Sequence, residues 1–145
     1  MTLHVELVVP DREIWSGSAR MVIAKTQDGD IGVMGSHPPV IGLLAEGSLV
    51  RILDAESSGS DGSGGSGGSG ETAGELVAAV SSGFLSVSGD RVSILARQAE
   101  LGRDIDVSAA RSELEEAAAE GQPGGEEPAE TRYARARLRA TGEQA

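Results

Sequence analysis

The feature that most constrains the fold is a series of short apolar segments separated by turn residues. Apolar and polar residues alternate through residues 3–9, which is the pattern of a strand with one buried face. Six further segments have strand character: residues 13–17, 20–26, 49–53, 75–80, 84–87 and 92–96. Between the last two, Gly89 and Asp90 suit a two-residue hairpin. Short strands at this spacing predict an antiparallel sandwich or barrel.

The period of the apolar pattern changes after residue 101. Asp104 and Asp106 are candidate N-caps, and the apolar residues from Val107 to Ala118 recur at helical spacing, with Gly121 as the expected stop. After a linker at 122–128, a second short helix carries alanines on one stripe and arginines on another. The arginine stripe comprises Arg132, Arg135 and Arg139.

These patterns predict an α+β protein with two parts. The first is an N-terminal antiparallel β-sandwich over residues 1–101, and the second is a short C-terminal α-helical hairpin over residues 102–145. Residues 54–74 lead into repeated Gly-Gly-Ser units, which cannot bury surface, and they are predicted to be a flexible loop insertion in the sandwich.

The charge is unevenly distributed. Residues 1–130 carry 8 basic and 22 acidic residues, a net −14, whereas residues 131–145 carry 4 arginines and 1 glutamate, a net +3; together they give −11. An acidic body repels nucleic acid and anionic lipid. The chain has one Trp, one Tyr and one Phe, so stacking platforms for single-stranded nucleic acid are not expected either.

No motif in the sequence predicts catalysis or cofactor binding. The absence of cysteine excludes a thiolate metal site, and the two histidines are not in a His-x-x-x-His pair. No nucleotide-binding glycine motif and no G-x-S-x-G are present. The first residues do not resemble a signal peptide, and the longest apolar run is too short to span a bilayer, so we expect a soluble or peripheral protein.

The stretch at residues 29–40, GDIGVMGSHPPV, combines three glycines at a spacing of three with a Ser-His-Pro-Pro turn. It predicts a crossover loop shaped by backbone geometry rather than by side-chain bulk. Taken alone, Asp30 is a turn residue, His37 caps a turn, and the arginine stripe is as compatible with a solvated helix face as with a binding surface.

Four motifs in order resemble the ε subunit of F-type ATP synthase. In addition, residues 126–140, which end in RARLRA, resemble the short second helix of its actinobacterial members. Residues 29–40 are similar to that family's G-[DE]-[IL]-G-[IV]-x-P-x-H-x-P-L loop. Residues 82–87, SGFLSV, resemble "GGFLEV", and residues 92–100, VSILARQAE, resemble "VTILADxAE". Residues 105–106 open the C-terminal helices as in the family. The likeness covers nearly the whole chain except residues 54–74.

The resemblance implies a non-catalytic subunit of the central stalk, peripheral on the cytoplasmic face of the cell membrane. Its sandwich would contact the γ subunit and the c-ring, coupling proton flow to ATP synthesis. Candidate contact residues are Asp30, Gly32, Gly35 and His37, with Asp30 and His37 expected in the same region. The C-terminal helices would inhibit ATP hydrolysis, with Arg132, Arg135 and Arg139 engaging acidic surfaces of α and β subunits.

The chain departs from the family pattern at two positions. Gly35 stands where the family has proline, so this loop is expected to be less rigid. Ala109 stands where the I-D-x-x-R-A motif of ATP-binding members has arginine, and a methyl group cannot make the charge-assisted bond to phosphate, which argues against ATP binding. Two alternatives from other classes are a stand-alone β-sandwich binding module and an enzyme with an unrecognised serine or histidine site.

Overall fold

The structure, a computed structural model, describes residues 2–57, 74–119 and 127–143. Its strands are β1 (Leu3–Val9), β2 (Arg12–Ala19), β3 (Met21–Thr26), β4 (Gly29–Met34), β5 (Val40–Leu43), β6 (Ser48–Leu53), β7 (Glu56–Ser57), β8 (Leu76–Val80), β9 (Gly83–Ser88), β10 (Arg91–Ala96) and β11 (Ala99–Leu101). A 3₁₀ turn (Gly102–Asp104) and two helices follow, α1 (Val107–Ala119) and α2 (Ala129–Ala140).

The strands form two sheets that face each other across one aliphatic core. The six-stranded sheet has the order β5-β9-β10-β1-β2-β7, and the five-stranded sheet has the order β11-β8-β6-β3-β4. The predicted sandwich with a C-terminal helical hairpin is therefore confirmed. The pairing is antiparallel except between β1 and β10, which run parallel, so the sandwich is not purely antiparallel as expected.

Alternation along β1 explains how the core is built. Leu3, Val5 and Leu7 are fully buried, while the residues between them point outward, as the two-residue period of a strand requires. Trp15 is 6 % exposed and packs in the same core. The hairpin predicted at Gly89 is confirmed, since Ser88 pairs with Arg91 and Gly89 has φ of 63°.

The stretch at residues 29–40 is only partly the predicted crossover loop. Gly29–Met34 form β4, which pairs with β3 through six residue pairs, and only residues 35–39 cross to β5 in the other sheet. Ile31 and Val33 reach the core, so the two-residue period is present. Glycine at the outward-facing position 32 made this period hard to recognise in the sequence.

The predicted flexible insertion at residues 54–74 is ordered at both of its ends. Asp54 pairs with Arg20 at 2.6 Å, and Glu56–Ser57 form β7 against β2. The Ala55 amide donates to the Gly74 carbonyl at 2.8 Å. Residues 58–73, which hold the Gly-Gly-Ser repeats, lie outside the described residues.

The helical hairpin packs on the outer face of the five-stranded sheet. Asp106 caps α1, because its Oδ1 accepts from the Ala109 amide at 3.1 Å, whereas Asp104 belongs to the 3₁₀ turn. Helix α2 lies over β8 and β6, and α1 packs mainly against α2. The predicted stop at Gly121 lies outside the described residues, as does most of the 122–128 linker. The division of the chain after residue 101 stays a prediction.

No helix within the described ranges is both long enough and apolar enough to cross a membrane.

Candidate functional site

An apolar row lies on the outer face of the six-stranded sheet. It consists of Ile41 and Leu43 of β5, Phe84 of β9 and Leu95 of β10, which are 72, 57, 40 and 38 % exposed. Leu43 lies opposite Phe84, and Phe84 lies opposite Leu95, so three of the side chains are adjacent across the strands. Such a contiguous exposed set is typical of a surface that binds another protein.

Sequence reasoning missed the apolar row. A signal was nevertheless present, because Leu85 and Val87 are the core residues of β9. Phe84 has the opposite parity and must therefore point away from the core.

Asp30 lies exposed on β4, opposite Lys25 of β3, on the same outer face that carries the hairpin. Asp30, Lys25 and Arg139 of α2 line one cleft of about 250 Å³. The structure thus brings together two residues that the sequence assigned to separate functions. Gly32 is also exposed on β4, and a Cβ there would come within 2.8 Å of Met21 Cε.

His37 and Gly35 lie in the crossover at the other end of β4. The span from Asp30 to Met34 is four residues of strand, or about 13 Å. Asp30 and His37 thus lie toward opposite ends of β4, and their membership of one contact region stays a prediction. His37 Nδ1 lies 2.7 Å from the carbonyl oxygen of Pro38, which fits a local role in the turn. The roles of these residues in binding stay predictions.

The crossover is anchored by Asp90 of the β9–β10 turn. The Asp90 Oδ1 accepts from the Ser36 amide at 2.8 Å, and its carbonyl accepts from the His4 amide at 2.7 Å. Ser36 has φ of 65°, a strained value for a residue with a side chain. The first bond ties the crossover to the β9–β10 turn, and the second ties that turn to β1. That Gly35 makes the crossover less rigid stays a prediction.

The three arginines of the predicted stripe are not equivalent. Arg132 pairs with Glu46 of the β5–β6 turn at 3.7 Å, and Arg135 pairs with Glu127 just before α2. Arg139 is exposed and lines the cleft with Asp30. The stripe therefore faces acidic groups of this same chain.

The most buried arginine is Arg137, which sequence reasoning left out of the stripe. Its side chain is 14 % exposed, and its Nε donates to Glu100 Oε1 of β11 at 2.5 Å. Its Nη1 donates to Glu113 of α1. The Tyr133 hydroxyl, one helical turn earlier, donates to the same Glu100 oxygen at 3.3 Å. We call these four residues the Arg137 clamp.

The Arg137 clamp raises the pKa values of two of its members, Tyr133 and Arg137. Burial, followed by the charge of Glu100, raises the pKa of Tyr133 well above its usual value. Burial alone would lower the pKa of Arg137, but the hydrogen bond and charge of Glu100 outweigh it and raise that pKa. Tyr133 thus stays protonated and Arg137 stays charged at neutral pH.

Two glycines allow α2 to approach the sandwich closely. A Cβ on Gly102 would lie 2.0 Å from the Ala140 carbonyl oxygen. A Cβ on Gly47 would lie 2.4 Å from the Arg132 carbonyl carbon, and Gly47 also has φ of 65°. The two contacts are eight residues apart on α2, so they fix both ends of the helix against the sheet.

Ala109, at the position of the family's ATP-binding arginine, is exposed in the first turn of α1. The neighbouring cation, Arg111, pairs with Glu143 at 2.7 Å. Within the described residues, no group of three or more metal-ligating side chains could hold a metal ion. That this chain binds no ATP and no other cofactor stays a prediction.

The fold and these surfaces define a class of protein, namely a small α+β module built from a β-sandwich and a docked helical hairpin. Its distinguishing features are an exposed apolar row, a cleft lined by charged side chains and a clamped basic helix. Of these, the exposed apolar row is typical of a surface that binds another protein.

Comparison with known proteins gives the family. The model of the β-sandwich domain of the ATP synthase delta/epsilon chain matches residues 2–61. The ATP synthase epsilon chain of Thermobifida fusca is 48% identical over 139 residues, covering 95% of this chain and 90% of that protein. The epsilon chain of Streptomyces avermitilis is 42% identical over 131 residues, covering 90% and 91%. The chain therefore belongs to the ATP synthase epsilon chain family, and the actinobacterial resemblance is confirmed.

A solved structure shares the fold. A chain in the cryo-EM structure of the Euglena gracilis mitochondrial ATP synthase, comprising OSCP, F1 and the c-ring in rotational state 1, aligns with a TM-score of 0.66. The alignment covers 97% of this chain and 79% of that chain at 19% identity. At this identity the likeness concerns the fold alone.

Proposed function

We propose that this ε subunit acts in the central stalk of a proton-translocating ATP synthase as a non-catalytic coupling subunit. Its sandwich binds the γ subunit and the c-ring, and its C-terminal helices inhibit ATP hydrolysis. In the assembled enzyme it is peripheral, on the cytoplasmic face of the membrane. Membership of the epsilon chain family supports this proposal over a stand-alone binding module.

The apolar row is the observation that carries the proposal. Four aliphatic or aromatic side chains between 38 and 72 % exposed lie on neighbouring strands, and their burial against a partner is favourable. We assign this face to γ, because a stalk subunit needs a permanent apolar interface with the shaft that it accompanies.

The polar surfaces suit the remaining partners. Asp30 presents an exposed carboxylate at the β3–β4 end of the sandwich, where it would meet basic groups on the polar loops of the c-ring. The arginines of α2 give residues 131–145 a net charge of +3 on a chain of −11. That charge would attract the helix to acidic surfaces of the α and β subunits once it leaves the sandwich.

The test is co-purification with γ and the c-ring from membranes. Leu43→Asp together with Phe84→Asp places charge in the middle of the apolar row, and we expect it to abolish recovery of the ε subunit with γ. The single variant Phe84→Asp is compared with Ser88→Asp as its matched control, because each adds one negative charge to an exposed position of β9. Undiminished recovery of the double variant would contradict the assignment of this face.

The inhibitory role needs its own measurement. Arg132, Arg135 and Arg139 are replaced together by alanine, and ATP hydrolysis by the membrane-bound enzyme is measured. We expect hydrolysis to rise, because the helix loses the charges that would hold it to the α and β subunits. Unchanged latency would rule out the inhibitory role of the arginines.

A further inference from the structure

The hairpin is held to the sandwich by an apolar contact with a small buried centre. Larger apolar side chains packed around this centre are only partly buried, namely Leu49, Val77, Val107, Leu114 and Tyr133. The buried residues of this contact are mostly alanines, and a methyl group contributes far less burial than a larger aliphatic side chain. They are Ala79, Ile105, Ala110, Ala136, Leu138 and Ala140. Segments with few buried apolar contacts open at low free-energy cost while the rest of a protein stays folded. Polar contacts therefore add to this apolar contact in keeping the hairpin docked.

The Arg137 clamp is the only polar cluster among the described residues that joins all three bodies, namely the sandwich, α1 and α2. Glu100 belongs to β11, Glu113 to α1 and Arg137 to α2. Arg137 is 14 % exposed, whereas Glu100 is 35 % and Glu113 55 % exposed. A guanidinium suits this position because its planar fork binds two carboxylates at once.

Loss of Arg137 or Glu100 leaves the remaining clamp residues without their charge or hydrogen-bond partners. Without Arg137, two carboxylates face each other, and like charges at short range repel. Without Glu100, both the Arg137 guanidinium and the Tyr133 hydroxyl lose their sandwich partner. The docked arrangement is therefore sensitive to a single charge.

The clamp also occupies part of the basic face of α2. Arg137 is paired with Glu100 and Glu113, while Arg132 is paired with Glu46. An acidic surface on another subunit would compete with these glutamates for the same guanidinium groups. Outward binding through Arg137 therefore requires its contacts with Glu100 and Glu113 to open.

We propose that the Arg137 clamp is a latch that keeps α2 docked, with Arg137 itself held inside the chain. Opening of the contact between Arg137 and Glu100 releases the hairpin from the sandwich. The effect of the latch on the enzyme rests on the inhibitory function proposed above. The latch itself is a contact within this chain and does not depend on that function.

The latch is tested with Glu100→Gln in the full-length chain, by amide hydrogen exchange read by mass spectrometry. Glutamine keeps the size and removes the charge. The effect should fall between those of a surface pair and a buried pair, and we expect exchange in α2 to accelerate about tenfold, equivalent to about 1.4 kcal/mol. Exchange in β1 and β10 should not change, which shows that the sandwich stays folded.

Asp54→Asn is the control, because it removes one carboxylate charge from the exposed Arg20–Asp54 pair (2.6 Å) on the sandwich. A second variant, Arg137→Lys, keeps the charge but loses the fork, and we expect an intermediate acceleration. Exchange in α2 that stays at the wild-type rate in both Glu100→Gln and Arg137→Lys would overturn the latch.

ATP hydrolysis by the reconstituted enzyme separates the latch from the inhibitory function. Faster amide exchange in α2 together with slower ATP hydrolysis supports both the latch and the inhibitory function, because a released helix inhibits hydrolysis more strongly. Faster exchange with unchanged hydrolysis supports the latch and counts against inhibition by α2.

Discussion

The tight contact between Gly102 of the 3₁₀ turn and the end of α2 gives the sharpest prediction. Gly102 is buried, and a Cβ there would lie 2.0 Å from the Ala140 carbonyl oxygen and 2.8 Å from its carbonyl carbon. Ordinary contact begins near 3.4 Å, so Gly102→Ala must push the end of α2 outward by about 1.4 Å, the difference between 3.4 and 2.0 Å. The backbone itself tolerates alanine, because Gly102 does not have a positive φ.

The expected cost follows from overpacking. Forcing one methyl group into a filled contact costs about 1–3 kcal/mol, which raises the population of the undocked hairpin about 5- to 150-fold. Because the apolar contact under α2 has a small buried centre and is otherwise only partly buried, we expect the strain to be relieved by undocking rather than by distortion of the sandwich.

Limited trypsin digestion measures the undocked population. Helix α2 contains four arginines, and cleavage tracks the open population when closing is faster than cleavage. Gly102→Ala should be cleaved in α2 about 5- to 150-fold faster than the wild type. Gly42→Ala is the control, since its Cβ would meet Thr26 Cγ2 at an ordinary 3.4 Å, far from the hairpin. Equal cleavage rates in the two variants would refute the steric argument.

Two further predictions concern charge. Tyr133 is the single tyrosine, so ultraviolet absorbance should show it ionising at a higher pH than free tyrosine. Because the pKa of Tyr133 is raised on folding, the protonated hydroxyl stabilises the docked hairpin fully below a pH of about 10, and this stabilisation is lost as the pH rises further. Glu100→Gln should lower the pKa of Tyr133. A Tyr133 titration that is the same in this variant and in the wild type would contradict the contact. Asp30→Asn should weaken ATP-driven proton pumping by less than about fivefold, the range of an exposed ion pair, with hydrolysis unchanged. Asp28→Asn, in the β3–β4 turn just before β4, should leave pumping at the wild-type level, and equal losses in both variants would exclude a specific role for Asp30.

Much of the fold could be predicted because local periodicity reports which face of an element is buried. Alternation located β1, and helical spacing located α1 with Asp106 as its N-cap. Periodicity failed at β4, where Gly32 occupies an outward position and Pro38 and Pro39 directly follow in the crossover. A strand was hidden there because glycine carries no side chain to mark the polar face.

The candidate site could be predicted only in part. Asp30 and the arginine stripe were found from charge and resemblance, but nothing local placed Asp30 in one cleft with Arg139. The Arg137 clamp joins residues 37 and 24 positions apart. Single-sequence patterns do not report such pairings, because they arise from packing rather than from the chain's own period.

The sequence by itself determined the class of fold, the acidic body with its basic tail, and the family, since these follow from local periodicity, composition and ordered motifs. Only the tertiary structure decided that β1 and β10 pair in parallel, that the apolar row is exposed, and that Arg137 is held between Glu100 and Glu113. Periodicity specifies which face of an element is apolar, but the element that covers this face is chosen by contacts between residues distant in the chain.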